Sequence, residues 1–508
     1  MDRLQVSTVL SRAPAGLSAP LVRVEVHLGC GLPAFHLVGL PEAVVRESRE
    51  RVRSALMTAG FEFPPGRITV NLSPADLPKE GGRFDLPIAI GILAASGQVR
   101  ATSVAHKEFY GELALGGELR ETSKLLPALL AGARQGSEMI VPAANVVDAA
   151  LVPRAHLRLA RDLSQVCAAL NGGVSLAVAG VQAKPESQPA LDLADVSGQF
   201  AAKRALEVAA AGGHGLLMIG PPGTGKTLLA QRLPGLLPPL SEGDALEVAG
   251  LESAAGRRPS LGRCRPFRSP QHTASAAALI GGSALRPGEL SMAHRGVLFL
   301  DELPEFARNV LEALREPLES GVVRLSRAKR SYDFPAQFQL LAAMNPCPCG
   351  YAGDAGGRCR CTATQVARYR GRISGPLIDR IDMHVELAAL PVEHLFTTMR
   401  QSEAAPKGEH SATVARRVAG AQASQMRRQG KLNAWLTAAE VPRVCRLERE
   451  SRALLSAAVT RLGLSARGFH RVLKVARTCA DLANAADIRR CDLSEAVTLR
   501  ALDRLACE

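Results

Sequence analysis

Two stretches near the start of the chain, "LVRVEVHLG" (21–29) and "RITVNLS" (67–73), alternate apolar and polar positions as half-buried strands do. Between them, "PEAVVRESRERVRSALMTAG" spaces its apolar residues at the helical period. This mixture continues to about residue 172 and predicts an α/β or α+β unit over 1–172. The segment "NGGVSLAVAGVQAKPESQPALDLADVSGQ" is rich in Gly, Pro, Ser and Ala and reads as a linker over 173–190. Over 191–395, Gly-bounded apolar runs predict the buried strands of a second α/β unit. Beyond 396, helix-period stretches such as "ARGFHRVLKVARTCADLANA" predict a basic helical domain reaching 508. No internal repeat is visible, and the fold class is multi-domain α/β.

Composition sharpens this outline. At 508 residues the chain exceeds what one core supports, and 47% hydrophobic residues provide ample surface to bury. Aromatic residues make up only 4%, with Trp435 the single tryptophan, so the cores must be built from Leu, Val, Ile and Ala. The longest apolar run, "LPIAIGILAAS" (86–96), is too short to span a bilayer, and the N-terminus lacks the pattern of a secretion signal. A cytoplasmic protein with no membrane partner is expected. In that reducing setting the eleven cysteines are expected as thiols or metal ligands. The net charge is +14, and residues 400–508 hold twenty Lys/Arg against eleven Asp/Glu. A basic region of this kind suits a polyanion, with nucleic acid the leading candidate.

The chemistry concentrates in the second unit. "GLLMIGPPGTGKTLLAQRL" carries G-x-x-x-x-G-K-T as Gly220, Pro221, Pro222, Gly223, Thr224, Gly225, Lys226 and Thr227, between a strand-like run and a helix-forming one. In such a loop the glycines turn backbone N–H groups onto phosphate oxygens. Lys226 supplies a cation for the β- and γ-phosphates, and Thr227 a hydroxyl for Mg²⁺. "GVLFLDELPEF" ends an apolar strand in Asp301, placed to hold Mg²⁺, and Glu302, placed to polarise an attacking water. "LLAAMNPC" ends another apolar run in Asn345, a candidate for orienting that water. ATP and Mg²⁺ are the cofactors these residues predict.

Just beyond Asn345, "NPCPCGYAGDAGGRCRC" gathers Cys347, Cys349, Cys359 and Cys361 as two C-x-C pairs joined by a Gly-rich turn. A tetrahedral S₄ site for structural Zn²⁺ is one reading. Free thiols and a redox disulfide are the others.

The combination GPPGTGKT, LFLDE, MNPCPCG and "SGPLIDRID" resembles the YifB/ComM family of magnesium-chelatase-like AAA+ ATPases. The likeness extends through "GLPAFHLVGLPEAVVRESRERVRSAL", "RITVNLSPADLPKEGGRFDLPIAIGILAASG" and "FRSPQHTASAAALIGGSALRPGELSMAHRGVLFLDELPEF", nearly the whole chain. It implies an AAA+ P-loop core with a C-terminal helical lid, assembled as a homo-oligomeric ring, a hexamer, with ATP between subunits. Arg380 is then the finger that reaches a neighbour's γ-phosphate, and Arg467 the second sensor, with Arg471 one turn on as its rival. "DVSGQ" (195–199) would flank the adenine. Two insertions would face the channel: residues 265–295, and the hairpin "GVVRLSRAKRSYDFPAQF", whose Arg324, Arg327, Lys329 and Arg330 would touch DNA phosphates.

The N-terminal unit resembles the Lon-protease domain of ribosomal-protein-S5-like α+β fold, with Arg83 where the nucleophilic serine belongs. Without a hydroxyl, acyl-enzyme proteolysis is not expected. The family implies an ATP-hydrolysing DNA motor acting on single-stranded and branched DNA during recombination and natural transformation. The ATPase subunit of a metal chelatase and an ATP-dependent protease are the competing functions.

Overall fold

The structure, a computed structural model, describes residues 6–40, 42–152, 156–180, 191–282, 286–327, 330–353, 356–389 and 408–500. Its first unit is built on a mixed eight-stranded sheet of β1 (Val6–Arg12), β2 (Leu21–Gly29), β3 (Ala34–Val38), β4 (Arg67–Ser73), β5 (Lys107–Phe109), β8 (Glu138–Pro142), β9 (His156–Ala160) and β10 (Ala177–Val178). The order is β10-β9-β8-β5-β1-β2-β4-β3, and a short ribbon of β6 (Glu112–Leu113) and β7 (Leu119–Arg120) lies beside it. The alternation read in β2 sends Val22, Val24 and Val26 inward, where they join Val9, Ile68, Val70 and Leu72. Over them lies helix Asp85–Ala95, the apolar run of the sequence, with every residue buried. A segment apolar on all sides is satisfied by a protein core as well as by lipid.

The expected linker needs correcting. β10 falls inside 173–190 and pairs antiparallel with β9, so the first unit's sheet runs past its expected limit. A two-residue edge strand leaves too little periodicity to be read in sequence.

The second unit is a parallel five-stranded sheet of β11 (Leu216–Ile219), β12 (Phe267–Arg268), β13 (Val297–Leu300), β16 (Gln339–Met344) and β17 (Met383–Glu386), in the order β12-β13-β16-β11-β17. Strands buried on both faces are apolar throughout, which is why "LLMI" and "VLFL" show no alternation in sequence. Their side chains nevertheless divide between two cores. Leu216, Met218, Val297, Phe299, Leu341 and Ala343 pack toward the C-terminal helices, while Leu217, Ile219, Leu298, Leu300, Leu340 and Ala342 pack toward the insertions. Between helix Arg315–Ser320 and β16, β14 (Val322–Arg327) and β15 (Arg330–Pro335) form an antiparallel hairpin. Its Tyr332 packs on the first unit's core, and Phe334 approaches the turn at Gly16.

Helices Ser411–Gln429, Arg449–Leu462, Ala466–Leu482 and Arg490–Thr498 close one face of the sheet, with Val418, Val472 and Val475 in the same core as helix Phe200–Gly212. Part of the basic charge expected on the surface here is internal. Arg477 is buried and grips Asp481 at 2.9 Å, which Arg428 also holds at 2.7 Å. Arg500, also buried, donates to the Ile381 carbonyl at 2.9 Å. Counting charges along a chain cannot separate such structural arginines from solvated ones. Among the described residues, no helix is long and apolar enough to cross a membrane.

Candidate nucleotide site

The phosphate-loop motif leaves the carboxyl end of β11 and enters helix Lys226–Leu236. In a parallel sheet this end is where ligands bind, and a helix N-terminus favours an anion there. Gly223 and Gly225 have φ of +80° and +87°, a region that β-carbons disfavour, and a Cβ built on either meets nothing within 4 Å. The loop therefore presents an open cradle suited to phosphate. The Lys226 Nζ is parked beneath it, donating to the Gly220 carbonyl at 2.7 Å, the Pro221 carbonyl at 2.9 Å and Asn345 Oδ1 at 3.2 Å. Burial lowers its pKa, with Asp301 and Glu302 opposing. Thr224 closes the loop by donating to the Pro221 carbonyl at 2.9 Å.

Thr227 Oγ1 donates to Asp301 Oδ2 at 2.8 Å, across 74 residues of sequence. A hydroxyl and a carboxylate in that relation offer two oxygens to a Mg²⁺ ion and its water shell. Asp301 Oδ1 accepts the backbone N–H of Glu302 at 2.9 Å, and Glu302 sits at φ +52°. A left-handed conformation at a non-glycine residue marks backbone held in place by its surroundings. The Glu302 carboxylate is exposed, with Oε2 3.4 Å from His272 Nδ1. The pairs Lys226–Asn345 and Thr227–Asp301 thus lie at one end of the sheet, with Glu302 beside them.

Arg380 and the two sensor candidates lie elsewhere. β11 and β17 are parallel and in register, Leu216 opposite Met383 and Ile219 opposite Glu386. Asp382, which precedes β17, accepts the backbone N–H of Gly215 at 3.0 Å, at the amino end of both strands. That end is separated from the phosphate loop by the length of β11, about 13 Å for four residues. Arg471 is paired there with buried Asp382, whose carboxyl is held far below its usual range against its own burial, chiefly by Arg471 and then by His214. Ser465 caps helix Ala466–Leu482, its hydroxyl accepting from the Gly468 N–H at 3.1 Å, and so places Arg467 in the first turn. Arg467 is 60% exposed, and its Nη2 lies 3.9 Å from Glu319. Arg380, nearly buried, donates to the Pro376 carbonyl at 2.8 Å and pairs with the same Glu319 at 2.8 Å.

Residues 192–395 match the family model described as magnesium chelatase, subunit ChlI; residues 24–145 match that of subunit ChlI of Mg-chelatase; residues 408–500 match its C-terminal model. The chain is 48% identical over 510 residues to competence protein ComM of Haemophilus influenzae, covering 99% of both chains. It is 48% identical over 505 residues to the YifB protein of Salmonella typhimurium, covering 99% of this chain and 98% of that one. The chain belongs to the YifB/ComM family. A magnesium-chelatase 67 kDa subunit from Heliobacterium mobile is 29% identical over 248 residues, covering 42% of this chain and 34% of that protein. Membership in a magnesium-chelatase-like AAA+ family implies ATP and Mg²⁺ as ligands and ATP hydrolysis as the activity. The cradle, the parked lysine and the Thr227–Asp301 pair fit both ligands.

Within this YifB/ComM chain the remaining expected sites fare unequally. Arg324 is not a free cation: it forms a cross-strand pair with Asp333, its register partner, at 2.9 Å. Arg327 and Arg330 close the hairpin as register partners, and Lys329 lies outside the described residues. The four cysteine sulfurs Cys347, Cys349, Cys359 and Cys361 lie within 4.8 Å of one another. Arg83 is buried, its guanidinium donating to the Ser123 carbonyl at 2.5 Å and pushed down to about 10 by that burial.

Four residues beside these sites had no role assigned from sequence. His272 lies within the insertion 265–295, Glu319 belongs to a stretch with no motif of its own, and Asp382 ends "SGPLIDRID" with no partner visible in sequence. Gln199 lies within "DVSGQ"; its amide donates to the carbonyls of Thr224 at 3.3 Å and Ala388 at 2.9 Å, tying that segment to the phosphate loop.

Proposed function

We propose that this chain is a ring-forming, ATP-driven DNA motor that moves branched recombination intermediates, as a hexamer of identical subunits. The hydrogen-bonded pairs Lys226–Asn345 and Thr227–Asp301 at the carboxyl end of the sheet carry the ATPase part of this reading. The DNA part is supported by full-length likeness to a protein named for competence and by the basic turn of the hairpin.

Bound Mg²⁺ neutralises charge on the β- and γ-phosphates and fixes their geometry. Lys226 exchanges its loop carbonyls for phosphate oxygens, and Thr227 and Asp301 hold the metal's shell. Glu302 orients the attacking water and accepts its proton, while Asn345 aligns that water through its amide. Arg380 and Arg467, at the opposite end of the sheet from their own loop, serve a neighbour's nucleotide. Arg467 is the better second sensor, because Arg471 is committed to Asp382. To reach a neighbour, Arg380 must leave Glu319, which stands three residues before Val322, the first residue of the hairpin's β14. Release of that contact links turnover to the hairpin's position.

The partial likeness to a chelatase subunit favours a second reading, metal insertion with partner proteins. A branch-migration assay on a synthetic four-way junction separates the two. The native chain is expected to convert the junction with ATP, and Glu302→Gln to bind ATP and DNA without converting it. An ATPase unmoved by single-stranded or branched DNA, together with an unconverted junction, would refute the motor.

A further inference from the structure

The cysteine loop is not used by that mechanism, yet it has the form of a built site. We propose that Cys347, Cys349, Cys359 and Cys361 hold one Zn²⁺ as a closed tetrathiolate, and that this clip fixes the loop against the phosphate-binding turn. Four Zn–S bonds of about 2.3 Å directed to the corners of a tetrahedron place sulfurs about 3.8 Å apart. The Cys347–Cys359 and Cys349–Cys359 separations are 3.8 and 3.7 Å, with Cys347–Cys349 at 3.3 Å. All four sulfurs fall within 4.8 Å, a space for one ion and too small for a multi-iron cluster.

The backbone is arranged for thiolate as well. The Gly350 N–H returns to the Cys347 carbonyl at 3.0 Å, closing a tight turn over Pro348 and Cys349, and the Ala352 N–H points at Cys347 Sγ at 3.2 Å. Arg358 and Arg360 flank Cys359 in sequence and supply positive charge near a centre that carries a net −2 once the four thiols release their protons to solvent.

The consequence for the nucleotide site comes from Gly350. Its φ is +87°, and a Cβ there would lie 2.8 Å from Pro222 Cδ, so the knuckle rests directly on the phosphate loop. Two residues before Cys347, Asn345 accepts from Lys226; beyond the second pair, Arg370 Nε returns to the Pro346 carbonyl at 3.3 Å. Without metal, only weak thiol contacts and the Ala352 N–H would hold this wedge, and they would hold it loosely. The coupling rests on the proposed ATPase site, whereas the metal itself does not.

The test begins with elemental analysis of the full chain purified without chelator, where about one zinc per chain is expected. The Cys359→Ser/Cys361→Ser variant is expected to lose it, and Cys30→Ser/Cys264→Ser to keep it. Should the first variant fail to fold, the native zinc content and the thiolate-to-metal absorption of Co²⁺-exchanged native protein still decide. A folded native chain with roughly a tenth of an equivalent or less of metal, a Cys–Cys disulfide, or iron in place of zinc would overturn the clip. Removing zinc with a mercurial is expected to weaken binding of a fluorescent ATP analogue roughly tenfold; unchanged affinity overturns the coupling. A chain that holds zinc and leaves the junction unmoved refutes the motor and spares the clip.

Discussion

At the carboxyl end of the five-stranded sheet, Lys226 bonds to Asn345 and Thr227 to Asp301, beside the open phosphate loop. At the amino end, Arg380, Arg467 and Arg471 each meet a carboxylate, Glu319 for the first two and Asp382 for the third. The first arrangement receives an anion with little rearrangement. The second yields a cation only when an existing pair opens. In the proposed reading, one subunit carries the ready half of one nucleotide site and the held-back half of another, and activity belongs to the interface.

The sharpest way to break that contrast is at Arg380. Arg380→Ala is expected to lower ATP turnover by about 10³-fold or more while nucleotide binding by the subunit persists. Mixing it with Lys226→Ala subunits should then restore part of the turnover, since some interfaces regain both halves. A mixture as inactive as its components would place both halves within one chain.

Next in size is the division between the two sensor candidates. Arg471→Ala leaves buried Asp382 without its arginine, and about 3 kcal/mol of stability should be lost, read as a lower urea midpoint. Arg467→Ala, at an exposed position, should leave the midpoint in place and reduce turnover alone. Equal midpoints for the two variants would undo the assignment.

The smallest expected effect tests the amino end by pH. His384, wholly buried in β17, is held down to about 3 by burial and by Arg500, with Asp382 pulling the other way and Arg471 adding to the depression. The unfolded chain takes up a proton as pH falls through about 6.5, and the native state does not until near 3, so stability declines between these values. At pH 5 the loss is about 2 kcal/mol. The drop in Tm between pH 7.5 and 5 should shrink in His384→Leu; an unchanged drop would assign it to other groups.

The carboxyl end was legible in sequence because its chemistry is written in contiguous motifs: the loop, the DE pair and the Asn after a strand each carry their own context. The amino end was not, because Arg471 and Asp382 are 89 residues apart and nothing local in either announces the other. His272 reached Glu302 through the fold of an insertion, and Arg324 lost its free charge to a strand partner that only the hairpin register reveals. The alternation in β2 and the unbroken apolar runs of β11 and β13 gave strands their length and burial. Which of two cores each residue would enter depended on helices supplied more than a hundred residues later.

Glu319 gives the electrostatics of this edge a different character from the chain's formal charge of +14. It is a resident counterion to Arg380 and Arg467, and in the proposed reading it occupies the place an incoming phosphate would take. One carboxylate shared by two arginines leaves that edge positive but muted, and in the proposed reading displacing Glu319 strengthens its pull on a triphosphate.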